Sequence, residues 1–198
     1  GLVVESPDEL LGFSDDEIAA AASAAEDRGL TGRWLIPLVN TTQQPALAAL
    51  QRRDTREKLF KAAWARNQQG DNNDTREKLL KLVALRARQA ALLGYEDYAS
   101  WSMADQMAKT PKAAFDFMRE IAPAARARAE SELADIQALI DSKSASFEAQ
   151  AWDWLFYSEQ VRRDKYAIDE AQIKPWFALD RVLIDGVFWS ASQLFEIG

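Results

Sequence analysis

Helix start and stop signals follow one another closely along the whole chain, and they leave little room for anything but helices. Ser6-Pro7-Asp8-Glu9 reads as a capping box with proline at the first helical position, and Gly12 ends that short turn. Ser14 caps the next helix with Glu17 three residues on, while Phe13 and Ile18 stand at the two positions of a hydrophobic staple. That helix is expected to run through the alanine-rich segment to about Arg28, where Gly29 stops it. Asp54-Thr-Arg-Glu-Lys-Leu-Phe60 and Asp74-Thr-Arg-Glu-Lys-Leu-Leu80 use one device twice, read as Asp at N-cap and Glu at N3. The spacing predicts helices over 55–69 and 75–93, ended by Gly70 and Gly94. The likeness stops at seven residues and its spacing does not recur, so a repeat array is rejected.

The remaining punctuation extends the pattern. Tyr95 to Met107 reads as helix, and Thr110-Pro111 opens a long helix reaching Asp141 with a kink expected at Pro123. Ser142 to Ala149 reads as loop, followed by helices over 151–166, 169–174 and 179–195. A short helix is expected after Pro45. Arg33 to Val39 is the one strand candidate: Trp34, Ile36 and Leu38 alternate, and Pro37 confines the strand to a sheet edge. The fold class is therefore all-α, a multi-helix array with at most one short strand near 33–39. Short connections make successive helices packed neighbours, and residues 1–198 read as a single helical portion of a larger protein.

Composition narrows the chemistry. The chain holds 198 residues, no histidine and no cysteine. Disulfides, thiolate metal sites and cysteine nucleophiles are excluded, and a histidine-based serine triad cannot be completed. A zinc site usually needs at least one Cys or His ligand, so no metal, catalytic or cofactor-binding residue is assigned. The net charge of −7 argues against nucleic acid and anionic membrane as partners. The basic cluster Arg162, Arg163 and Lys165 is flanked by Glu159 and Asp164, and reads as a solvated helix face, with Glu159 and Arg163 an i,i+4 pair. No apolar run approaches a membrane span and no signal peptide is visible, which with the missing cysteines is read as a cytoplasmic protein. The start at Gly1 reads as a processed or engineered one. Asn40-Thr41-Thr42 and Asn73-Asp74-Thr75 match a glycosylation pattern by chance.

Other constellations resolve into structure. Gly70-Asp-Asn-Asn-Asp-Thr75 begins like a calcium loop, but Arg76 stands where glycine is required and Leu82 where the bidentate acid belongs. Asp15-Asp16-Glu17, Glu96-Asp97 and Asp169-Glu170 lie at helix N-termini, where acids complement the dipole, and are not read as catalytic pairs. The scattered glycines form no phosphate cradle. Trp152, Trp154, Phe156 and Tyr157 read as packing core. Val182, Leu183, Ile184, Val187, Phe188, Trp189, Leu194 and Phe195 ring most of the 179–195 helix, which is expected to leave an apolar side for another surface and to promote self-association.

Three stretches carry a resemblance. They are TGRWLIPLVNTTQQPALAALQRRDTREKLFKAAWARN (Thr31 to Asn67), LRARQAALLGYEDYASWSMADQMAKTPKAAFDFM (Leu85 to Met118) and WDWLFYSEQVRRDKYAIDEAQIKPWFALDRVLIDGVFWSASQLFEI (Trp152 to Ile197). Together they resemble the region upstream of the catalytic motif in the thimet-oligopeptidase family of zinc metallopeptidases, most closely its bacterial peptidyl-dipeptidase branch. Trp176 stands where the family has tyrosine and Glu196 where it has glycine. The resemblance implies a mostly helical, two-lobed parent with a deep channel. Its zinc sits on a downstream H-E-x-x-H helix, and it removes C-terminal dipeptides from short unfolded oligopeptides. This chain would supply channel wall and lobe scaffold and be inactive alone. The competing reading is a helical protein-interaction module with no enzymatic parent, and an H-E-x-x-H downstream separates the two.

Overall fold

In the computed structural model, residues 1–143, 147–167 and 173–196 are described. They form two units, Gly1–Ser158 and Glu159–Gly198. In the first unit, α1 (Asp15–Glu26) carries the expected capping box: Ser14 N donates to Glu17 Oε2 at 2.8 Å, and Glu17 N donates back to Ser14 Oγ. Gly29 takes φ +72°, which lets Leu30 N donate to the Ala25 carbonyl and close the helix end. The preceding box is only half formed. Ser6 Oγ accepts from Asp8 N, but Glu9 reaches Glu5 N instead of the cap, because Pro7–Leu10 winds as a single 3₁₀ turn.

The strand signal is met by β2 (Trp34–Ile36), which pairs antiparallel with β1 (Leu2–Val4) in the register Leu2 to Ile36, Val3 to Leu35 and Val4 to Trp34. The sequence reading allowed one strand and missed β1, whose three residues are too few to show a period. A strand needs a partner, and the chain's first residues provide it. The chain stays helical apart from this pair, as expected among the described residues.

Helix α2 (Asn40–Ala49) differs from expectation. It begins ahead of Pro45 rather than after it, the Val39 carbonyl accepting from Thr42 N and Gln43 N, and Pro45 lies inside at the cost of one intrahelical bond. Further on, α5 (Tyr98–Met103) starts on Asp97, whose Oδ1 accepts from Ser100 N at 2.7 Å. Helix α6 (Pro111–Ser142) starts on Thr110, whose Oγ1 accepts from Ala113 N, and it continues through Pro123.

The repeated heptapeptide occupies two different registers. In α3 (Arg53–Trp64) the cap is Arg52, and Asp54 sits inside the first turn, paired with the Arg52 side chain. In α4 (Arg76–Leu92), Asp74 lies one residue outside the cap Thr75, and its carboxylate accepts from Arg76 N and Gly70 N. Neither aspartate is the N-cap residue that the motif implied. Flanking sequence sets the start: Arg52 and Arg53 extend α3 backwards, whereas Gly70 to Asn73 form a turn that holds α4 to a later one. Burial diverges as well. Thr55, Arg56 and Leu59 are buried, while their counterparts Arg76 and Leu79 are exposed.

Two apolar clusters organise this unit. One gathers Val4, Leu10, Ile36, Leu47, Leu50 and Leu59 from the sheet, the 3₁₀ turn, α2 and α3, with the staple residues Phe13 and Ile18 packed against it. The other joins Ile136 and Ile140 of α6 to Tyr157 of α7 (Trp154–Tyr166). Between them in sequence, α4 packs on α5 and α5 on α6, yet α4 buries only Ala90 and α5 buries nothing fully.

The second unit is a helical tail. Arg162 and Arg163 both bond Glu159, as a solvated face would. The expected helix over 169–174 falls largely outside the described residues, and Lys174–Phe177 is a 3₁₀ turn. The expected 179–195 helix is present as α8 (Leu179–Arg181), a π-helical stretch Val182–Phe188, and α9 (Trp189–Phe195). Glu196 ends it with φ +52°, the left-handed conformation that favours glycine. This gives a physical reason for the glycine expected at that position.

The two heptapeptides make opposite demands on the same leucine. Leu59→Ala should lower stability by about 2–5 kcal/mol because it opens a cavity in a filled core. Leu79→Ala should change it by less than about 0.5 kcal/mol. Urea unfolding of the two variants measures the contrast, and equal losses would contradict the assignment of environments.

Candidate functional site

The best-organised polar centre of the first unit is built around Asp153, which is fully buried between Trp152 and Trp154. Its carboxylate receives Arg53 Nε at 3.2 and 3.1 Å, Arg53 Nη2 at 3.0 Å and Arg56 Nη2 at 2.9 Å. Gln150 N donates to the same group at 3.1 Å. Arg53 opens α3 and Arg56 follows three residues on, so both guanidiniums leave one helix face. Asp153 precedes α7, and its carbonyl accepts from Tyr157 N. A buried carboxylate is costly unless paired and hydrogen-bonded, and this one is both.

Two arginines face one aspartate, Arg56 fully buried and Arg53 partly open to solvent. Arg56 Nη1 donates to the Leu50 and Gln51 carbonyls at 2.9 and 3.0 Å. Its guanidinium lies 4.1 Å from the Phe156 ring centre, and that of Arg53 lies 4.3 Å from Phe147. The rings' negative faces meet the cations, so the aromatic crowd at 152–157 packs the core and solvates the arginines together. Thr55 Oγ1, Arg56 Nε and Trp152 Nε1 are buried without a hydrogen-bond partner.

This arrangement ties the start of α3 to the segment before α7. Four guanidinium contacts and the Gln150 amide engage both oxygens of the carboxylate. The sequence reading assigned no site residue and did not single out Arg53, Arg56 or Asp153. One signal was present: an aspartate inside a Trp-Asp-Trp run must be either exposed or paired.

Two of the three acidic groups considered in the sequence lie at helix N-termini. Asp15, Asp16 and Glu17 occupy the first turn of α1, with Glu17 engaged in the capping box, and Asp97 caps α5. Asp169-Glu170 lies outside the described residues. In the 70–75 turn, Asp71 Oδ1 accepts from Asn73 N, and the Arg76 side chain holds the Asp74 carboxyl well below the usual carboxylate range. Hydrogen bonds from Arg162, and then Arg163, likewise lower Glu159. Among the described residues, no group of three or more His, Cys, Asp or Glu could hold a metal ion, and no helix is long and apolar enough to cross a membrane.

Removing Asp153 tests the clasp. Asp153→Ala leaves the buried Arg56 guanidinium without its carboxylate and should cost about 3–5 kcal/mol of stability. Denaturant unfolding reads the loss, and a cost under about 1 kcal/mol would show the centre to be solvated.

Comparison with known proteins completes the description. Residues 46–198 match Peptidase family M3. The dipeptidyl carboxypeptidase of Escherichia coli (strain K12) is 60% identical over 197 residues, covering 100% of this chain and 29% of that protein. The dipeptidyl carboxypeptidase of Salmonella typhimurium is 57% identical over 197 residues, again 100% of this chain and 29% of that protein. Oligopeptidase A of Escherichia coli (strain K12) is 32% identical over 193 residues, 96% of this chain and 28% of that protein. The chain thus spans less than a third of the length of these relatives.

Proposed function

The chain belongs to peptidase family M3, and we propose that it is a non-catalytic helical portion, channel wall and lobe scaffold, of a zinc peptidase that releases dipeptides from the C-terminus of oligopeptides. The observation that carries the reading is the 60% identity to a dipeptidyl carboxypeptidase across the whole chain. Zinc finds no donor set in this chain, which has neither histidine nor cysteine. What the chain contributes is shape and packing: a buried ionic clasp, two apolar clusters and long helices.

The test uses the longer protein encoded around this sequence. Mass spectrometry of a digested oligopeptide should show residues leaving its C-terminus in pairs, with activity lost on chelation and restored by zinc. Release of single residues, or activity indifferent to metal removal, would overturn the dipeptidase reading. The 198-residue chain alone should neither cleave the peptide nor retain stoichiometric zinc after dialysis. Chelator-sensitive cleavage by that chain would overturn the scaffold reading.

The second unit supports a docking role. Leu179 is 74% exposed, Trp189 61% and Phe195 71%, and Phe188 is also exposed. Each large apolar side chain left in water forgoes about 1.5–3 kcal/mol of burial. In the longer protein we assign this face to packing against the remainder of the polypeptide, which makes up most of the relatives' length. Alone, the chain should self-associate at micromolar concentration and enhance the fluorescence of a hydrophobic dye. A strictly monomeric sedimentation profile with no dye response would contradict the assignment.

A further inference from the structure

A cup of about 390 Å³ opens on α5 and the turn after it, lined among others by Tyr95, Tyr98, Trp101, Asp105 and Gln106. The Tyr98 and Trp101 rings meet edge to face, 5.3 Å apart at 63°, and so form two walls of a corner. Tyr95 adds a third ring, and Asp105 places a carboxylate on the rim. Asp105 accepts from the Gln106 side chain at 2.9 Å, and among the described residues it has no cationic partner. Aromatic faces carry negative potential, and a nearby carboxylate reinforces it. Beside the cup, and not among the residues lining it, the Arg86 guanidinium lies 4.8 Å from the Tyr98 ring centre, so this chain's own cation already takes a face of Tyr98.

We propose that this cup is a binding site for one cationic side chain of a peptide, a guanidinium or an ammonium group. The rings supply the walls, Trp101 being the strongest cation acceptor of the three, and Asp105 supplies the counter-charge. The site lies within the first unit and involves neither the buried clasp nor the apolar tail. The proposal rests on the geometry of the cup and not on the peptidase reading.

The test is a titration of the 198-residue chain, following the indole N–H resonance of Trp101 by NMR, with that resonance assigned through Trp101→Phe. N-acetyl-arginine amide should shift the resonance saturably, and the neutral N-acetyl-norleucine amide should not. Asp105→Asn should weaken binding roughly threefold to tenfold, and Asp105→Glu should retain it. Far-UV circular dichroism confirms that each variant is folded. An equal response to the neutral amide, no response to the arginine amide, or Asp105→Asn binding as the wild type would overturn the proposal.

Discussion

The first unit depends on one interaction, the contact of the buried Asp153 carboxylate with Arg53 and Arg56. Those arginines lie 100 and 97 residues away in sequence. No other charged pair in the unit is fully buried on both sides among the described residues. Arg56 pins the end of α2 through the Leu50 and Gln51 carbonyls and the start of α7 through Asp153. The sheet-side cluster and the α6–α7 cluster are thereby joined through polar contacts that tolerate little displacement. A hydrophobic contact would accept sliding, whereas a hydrogen-bonded ion pair in a dry setting accepts one geometry. Arginine suits the position because its planar fork meets a carboxylate on two atoms while its face lies on an aromatic ring.

The repeated heptapeptide shows how little a local motif decides. The same six residues, Asp-Thr-Arg-Glu-Lys-Leu, start helices in both places, so local propensity is honoured twice. The arginine, however, is fully buried in α3 and largely exposed in α4. The difference lies in what each helix meets. Helix α3 packs against α2 and β1, and its first turn faces the Trp152–Tyr157 segment. Among the described residues, helix α4 packs chiefly on α5. Tertiary context decides the burial of the arginine and the leucine, while the helical preference of the heptapeptide holds in both places.

Legibility followed the range of the interactions. The caps at Ser14 and Thr110 and the glycine stop at Gly29 were readable because each is settled within a few residues, whereas the helix expected over Tyr95 to Met107 starts later, on Asp97, and spans only Tyr98–Met103. The glycine expected at Glu196 corresponds to a left-handed backbone for the same reason. Strand β1 was not readable, since three residues show no period and their partner lies about thirty residues on. The start of α2 was misplaced because proline was taken to open the helix, while the backbone had already turned at Val39. The Asp153 centre depends on a pairing across half the chain, which no local pattern encodes. The family resemblance reached further than any local signal, because it draws on long runs of sequence rather than on a few spacings.

The distribution of exposed apolar side chains then separates what the chain settles alone from what it leaves open. Around β1, β2, α1, α2 and α3, the large apolar residues are mostly buried or packed on the core. The end of α6 and the start of α7 behave in the same way. On α4 the pattern reverses, with Leu79, Leu80, Val83 and Leu85 exposed, and Phe115, Phe117 and Met118 follow at the start of α6. The helices form, but among the described residues these side chains stay exposed. A sequence selected as an independent domain would have polar residues there, because contiguous apolar surface invites association. The exposed leucines of α4, the phenylalanines of α6 and the apolar tail are therefore explained together if these helices evolved against surfaces supplied by other parts of a family M3 protein.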